Sequence, residues 1–203
     1  MSEHPLPPNS RTALKEWAVA CDALGRGEQI LLLRKGGISE ESRAFRIEHP
    51  EFLLFPTFEH QRPDLLKEPA QRALANVLAS RGSTETIPLK FWAIVAEVFE
   101  LTEPEQLAAV TDLHIWSDQY ALSRLRWKPR HPLQLLALRV YRLPTTVDLP
   151  TRPEYGGCKS WLTLAEPIVV EGARPVLDNE CFHERVSSVR RALGRAAGEV
   201  PSR

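Results

Sequence analysis

Cysteine is scarce in this chain: three residues, at positions 21, 158 and 181. A set that is odd in number and widely spaced cannot close a disulfide framework, and it suits a reducing compartment. Long apolar runs are missing as well. Ile30–Leu33 and Phe52–Phe55 fall far short of the roughly 20 residues that cross a bilayer. The opening MSEHPLPPNS has no basic-then-apolar signal pattern, so a cytoplasmic protein is expected. Net charge is also lacking, because 26 Lys and Arg balance 26 Asp and Glu; no global field draws a polyanion to the whole surface.

Several chemistries are missing their signatures. There is no Gly-x4-Gly-Lys-Ser/Thr phosphate loop and no dinucleotide-binding glycine fingerprint. Glu28, Arg34 and Lys35 do not have the spacing of a nuclease acid followed by Glu-x-Lys. Cys158, Cys181 and His183 offer only a loose Cys-x-His in place of paired zinc ligands, so no metal and no other cofactor is expected.

The hydrophobic content, 43%, is enough for a chain that folds around its own core. Leu14, Trp17, Ala18, Cys21 and Leu24 recur at helical spacing, which predicts a helix over residues 12–24 with Gly25 as a left-handed stop. QILLLRK, ended by Gly36 and Gly37, and EFLLFPTF read as buried strands. Helical spacing returns between Asp64 and Ser80, with Pro69 in the first turn. EVFEL and RVYRL each close a long apolar run and read as central strands. Between them, Thr102, Pro104 and Glu105 open one helix, and Ser117 opens another that Pro129 must stop. Pro144 to Gly157 reads as a long functional loop, and residues 179–194 as an amphipathic helix capped by Asp178. The expected fold is α+β, one domain over residues 12–195 with a mixed or partly closed sheet flanked by helices. Loose tails are expected at 1–11 and 196–203.

Zero net charge conceals a segregation. Phe91 to Ser123 carries six acids and no Lys or Arg, whereas Gln119 to Val147 carries six bases and no acid. Cross-strand pairs Glu97–Arg139 or Glu100–Arg142 would neutralise part of this. They would leave Arg124, Arg126, Lys128 and Arg130 clustered around Trp127 as a candidate phosphate-contacting patch. Tyr120, Arg124 and Trp127 form one helical stripe, and a π face beside a guanidinium is what stacking on a nucleobase requires. The same stripe also suits a packed Trp127 with Arg124 lying across it. Trp92 and Trp116 add aromatic density and would either line the same pocket or fill the core.

Two further sets of residues come into question. In PEYGGCKSW, Gly156 and Gly157 would bring backbone N–H groups near Cys158, Lys159 would lower its pKa, and His183 is the downstream base. The competing reading is a structural turn. His49, His60, His114 and His131 read as hydrogen-bonded loop residues.

LKEWAVACDALGRGEQILLLRKGGI, EFLLFPTFEHQ, HIWSDQYALSRLRWKPRHPLQLLALRVYRLP and PEYGGCKSWLTL resemble the successive blocks of the bacterial domain-of-unknown-function family 1802. That resemblance implies no established activity; the family's association with restriction-endonuclease-like domains implies a partner of that kind and a part in restriction or another nucleic-acid system. FWAIVAEVFEL, a Glu-Pro helix, IWS, RLRW and LLALRVYRL leading to TTVDLP are more loosely similar to the EVE and ASCH domains. Those belong to the PUA-like pseudobarrels, which read DNA or RNA. The expected function is therefore a nucleic-acid-binding module that is not itself an enzyme, with reading of a modified base as its narrower form. The alternatives are a metal-dependent nuclease or Cys158-dependent hydrolase, and a protein-interaction subunit docking through its acidic Phe91–Asp118 face.

Overall fold

The computed structural model describes residues 6–35, 49–157 and 159–198. The chain begins with β1 (Asn9–Trp17) and α1 (Ala18–Gly25), so the first half of the helix expected over 12–24 is a strand. Leu14, Trp17 and Ala18 fit either period, and pairing decides between them. β1 lies parallel to β3 (Glu51–Thr57), with Ala13 opposite Leu53, and antiparallel to β6 (Trp161–Val169), with Ala13 opposite Leu162. α1 is buried on nearly every side. Its stop comes two residues after the expected one: Gly27 takes φ +68, Gly27 N–H donates to the Leu24 carbonyl at 3.0 Å, and Glu28 N–H to that of Ala23 at 3.0 Å. These two bonds make a Schellman motif. Gly25 is small for another reason: a Cβ there would sit 2.0 Å from the tip of the Phe91 ring.

The remaining helices follow the sequence closely. α2 (Glu68–Ala79) has Pro69 in its first turn. α3 (Pro104–Ala109) opens with a capping box made by Glu103 and Gln106, one residue away from the expected trio. α4 (Asp118–Arg126) is capped by Ser117, and α5 (Asn179–Gly198) by Asp178, whose Oδ1 accepts from Cys181 N–H at 2.7 Å. Among the described residues, no helix is long and apolar enough to cross a membrane.

Seven strands form one open, mixed sheet in the order β2 (Leu31–Arg34), β5 (Leu133–Pro150), β4 (Thr86–Leu101), β3, β1, β6; a short β7 (Arg174–Pro175) also pairs with β5. β4 and β5 are far longer than EVFEL and RVYRL, running antiparallel from Thr86 opposite Pro150 to Leu101 opposite Leu133. The stretch expected as a functional loop is thus strand as far as Pro150. The irregularity that suggested a loop is a real defect in pairing. Leu89 faces Val147 and Phe91 faces Arg142, so residues 143–146 oppose Lys90 alone, and Pro144, which has no N–H for a ladder, falls inside that break.

The break also switches faces. Leu89 and Trp92 point to one side of the sheet, Phe91 and Ala93 to the other. The larger core lies under the helices. The smaller one, including Ala13, Leu53, Phe55, Leu89, Trp92, Leu143 and Leu162, comes entirely from strands and the turns between them. Bulges strengthen twist and bend a ribbon; β4 and β5 carry two register shifts in an open sheet that is consistent with partial closure and has its larger core on the helix-covered face.

Register also overturns the expected charge pairing. Arg139 stands opposite Ile94 and Arg142 opposite Phe91, while Glu97 and Glu100 face Ala137 and Gln134. Arg139 instead donates to the Asp178 carbonyl at 3.1 Å and Asn179 Oδ1 at 2.8 Å, fixing the start of α5, and Arg142 donates to the Gly25 carbonyl at 2.9 Å. Glu97 pairs with Arg190 of α5 at 2.7 Å, and Glu100 accepts from Gln134 at 3.1 Å.

Candidate functional site

α4 ends where the basic cluster begins. Ser117 Oγ accepts the Tyr120 N–H at 3.3 Å, and the Asp118 carboxylate accepts the Thr111 hydroxyl, so the N-terminal end is acidic and capped. Arg124 and Arg126 occupy the last turn, where the helix dipole favours cations. The chain then leaves the helix: Trp127 is extended at φ −70, ψ 130, and Lys128 turns left-handed at φ 48 just before Pro129. This exit leaves Trp127 at 45% exposure, the Arg124 guanidinium carbon and the Lys128 ammonium each 4.8 Å from its ring centroid. The cation–π contact expected for Arg124 is present, but its partner is a surface indole. Arg126, Lys128 and Arg130 are exposed around it.

The rest of the expected aromatic set lies elsewhere. Tyr120 is half-buried, 4.9 Å from Trp116 and 6.3 Å from Trp17, and burial raises its hydroxyl pKa. Trp116 is 3% exposed and meets Trp17 edge-on at 5.1 Å. Trp92 is fully buried in the inner core, 5.5 Å from Tyr141. Arg124, Trp127 and Lys128 therefore come together, Arg126 and Arg130 are exposed on neighbouring residues of the chain, Tyr120 and Trp116 pack with the larger core, and Trp92 belongs to the other core.

The model for the family described as Domain of unknown function (DUF1802) matches residues 13–188. The chain belongs to this family. No curated protein and no solved structure matches it. The DUF1802 match runs from Ala13 in β1 to Ser188 in α5, so it takes in α4, the Trp127 cluster and both cores.

Sequence reasoning missed a part of this DUF1802 site contributed by the ends of β1 and β2. Arg34 pairs with Glu16 at 2.9 Å, both side chains largely buried, and donates to the Lys15 carbonyl at 2.7 Å. Lys35, 3% exposed, donates to the Leu125 carbonyl at 2.5 Å, so a strand end holds the last turn of α4. Burial, with Arg124 nearby, lowers its pKa. The available signal was an Arg-Lys pair closing a buried apolar strand, where charge needs a specific partner.

The other candidates separate from this site. Cys158 lies outside the described residues; Lys15 ties the turn before it by donating to the Tyr155 and Gly157 carbonyls at 2.7 and 2.9 Å. His183 is exposed on α5. Cys21 is buried and its pKa is raised by that burial, so it is an inert thiol. Among the described residues no group of His, Cys, Asp and Glu is arranged to hold a metal.

A cleft of about 590 Å³ opens between α1 and α2, lined by Val19, Ala23, Gln29, Lys67 and His114 among others. His114 lies in a loop bend, as expected, but inside the protein. It is 5% exposed, and neither ring nitrogen has a partner among the described residues. Burial and the neighbouring Lys67 lower its pKa from 6.5 to about 4, so the ring is neutral at pH 7.

Proposed function

We propose that this DUF1802 chain binds nucleic acid at the exit of α4. Trp127 supplies the stacking surface, Arg126, Lys128 and Arg130 contact phosphates, and Arg124 braces the indole. The observation that carries this reading is a tryptophan 45% exposed between two cations at 4.8 Å. An indole buried for packing would be covered, and an exposed one in a neutral setting would attract no polyanion. Lys128 is itself exposed, so it can yield its place over the ring to a base. Stacking is worth about 1–3 kcal/mol per base, and each neutralised phosphate adds salt-dependent affinity.

The similarity to EVE and ASCH barrels and the partly closed sheet point in the same direction, toward reading of a base within a restriction or defence system alongside a restriction-endonuclease-like partner. An interaction subunit with an acidic docking face is less well supported, because the acids have internal duties: Glu97 holds Arg190, Glu100 holds Gln134, Glu103 caps α3 and Asp118 accepts from Thr111.

Fluorescence anisotropy against single- and double-stranded DNA and RNA, with and without modified cytosine, at two salt concentrations, tests the reading. Binding that weakens with salt yet keeps a preference among the strands is expected. No binding to any of them at low salt would refute it.

A further inference from the structure

Around the Tyr120–Trp116 cluster, next to the α4 exit, the protein carries a surplus of hydrogen-bond donors among the described residues. Three buried N–H groups bordering the Tyr120–Trp116 aromatic cluster have no protein acceptor among the described residues: Arg34 Nε, Arg124 Nε and Trp116 Nε1. Glu16 answers the charge of Arg34. Arg124 and Lys35 have no acid within 4.0 Å among the described residues. Lys35 spends one of its ammonium protons on the Leu125 carbonyl, which leaves two. Unfilled donors and uncompensated cations in a sheltered place are costly unless an anion joins them.

We propose that Arg124 and Lys35, with Arg34 beside them, seat the terminal phosphate monoester of a nucleic-acid strand whose end base stacks on Trp127. The inference rests on the nucleic-acid reading above and specifies its ligand. Arg124 links the two halves, its guanidinium lying over the Trp127 ring while its Nε is buried. A terminal monoester matches the seat in two ways. It carries close to two negative charges and three strong acceptor oxygens, against two cations without an acid partner and three buried N–H groups without an acceptor among the described residues. It also ends a chain and can turn its free oxygens toward the donors, whereas an internal diester has one charge and a strand running away on both sides.

The test compares the full-length protein binding one short single strand in three forms: a 5′ phosphate, a 3′ phosphate, or hydroxyls at both ends. One phosphorylated form is expected to bind about tenfold more tightly than the hydroxyl form, consistent with charge-assisted contacts, and its identity assigns the strand's polarity. Lys35→Gln should erase that preference while leaving Trp127-dependent binding of the hydroxyl form; Arg124→Gln, which also removes the brace on the indole, should erase the preference and weaken binding of every form. Urea midpoints establish that both variants fold, and Arg34→Lys provides a milder third change should either fail. Equal binding of all three forms would overturn the phosphate seat and leave the stacking reading standing. Absence of binding by every form would overturn both.

Discussion

Trp92 and Trp127 place the same side chain in opposite settings. Trp92 follows the break in the β4–β5 ladder and points into the strand-lined inner core at 0% exposure. Trp127 follows the last turn of α4, and the left-handed Lys128 beside it leaves the indole 45% exposed between two cations. One holds the closed part of the sheet together. The other lies at the surface. Residue type says nothing about which is which; the backbone irregularity next to each tryptophan decides.

The sharpest way to break this contrast is to truncate both. Trp92→Ala should cost about 3–5 kcal/mol of stability, the range for emptying a large buried aromatic site. Trp127→Ala should stay within about 0.5 kcal/mol of the parent, as surface substitutions do. Urea denaturation of both variants checks this, and a Trp127→Ala loss comparable to that of Trp92→Ala would make Trp127 a packing residue.

The second largest effect concerns the interior around the α1–α2 cleft. His114 has a pKa of about 4 in the folded chain against 6.5 when unfolded. As pH falls between these values the unfolded chain takes up the proton first. The stabilisation is complete above about pH 6.5 and drains away toward pH 4, by on the order of 3 kcal/mol. His114→Phe should flatten that slope, which urea midpoints at neutral and acidic pH would reveal. An unchanged slope would assign the acid sensitivity to other groups.

A smaller loss is expected from Gly25→Ala, about 1–3 kcal/mol by overpacking, because the added methyl meets Phe91, whose ring is held under Arg142 at 4.9 Å. Gly27→Ala adds backbone strain, from the left-handed φ of +68, to a Cβ contact of 2.6 Å with the end of Leu177, and costs roughly 1–2 kcal/mol. Thermal melts of the two variants compare packing alone with packing plus backbone strain at sites two residues apart. Smallest of all, Arg190→Ala removes an ion pair whose arginine is 61% exposed and should leave the melting midpoint nearly unchanged, since exposed pairs contribute little.

Much of the fold was legible because local signals agreed with tertiary ones: Pro69 and Ser117 at helix starts, the apolar runs of β2 and β3, and Asp178 capping α5. The N-terminal segment was misread because Leu14, Trp17 and Ala18 satisfy a helical period while partners from β3 and β6, distant in sequence, hold residues 9–17 extended. The loop expected after Pro144 was misread because proline marks an interruption without saying whether a strand resumes beyond it. The basic half of the site was visible as Arg124 to Arg130. Its aromatic half was overcounted, since spacing along α4 cannot show that Tyr120 turns inward to Trp116 while Trp127 falls past the helix end. Glu16, Arg34 and Lys35 were invisible as a group because they meet only when β1 and β2 reach α4.

The central claim, that Trp127 and the bases around it form one binding surface with two separable contributions, is tested most directly by salt titrations of affinity for the parent, Trp127→Ala and Arg126→Ala/Lys128→Ala. The account predicts that Trp127→Ala loses affinity by about 1–3 kcal/mol with its salt slope unchanged, while the double variant loses affinity and roughly 1–2 units of slope. Parent-like binding by both folded variants would contradict it and place any nucleic-acid surface elsewhere on the molecule.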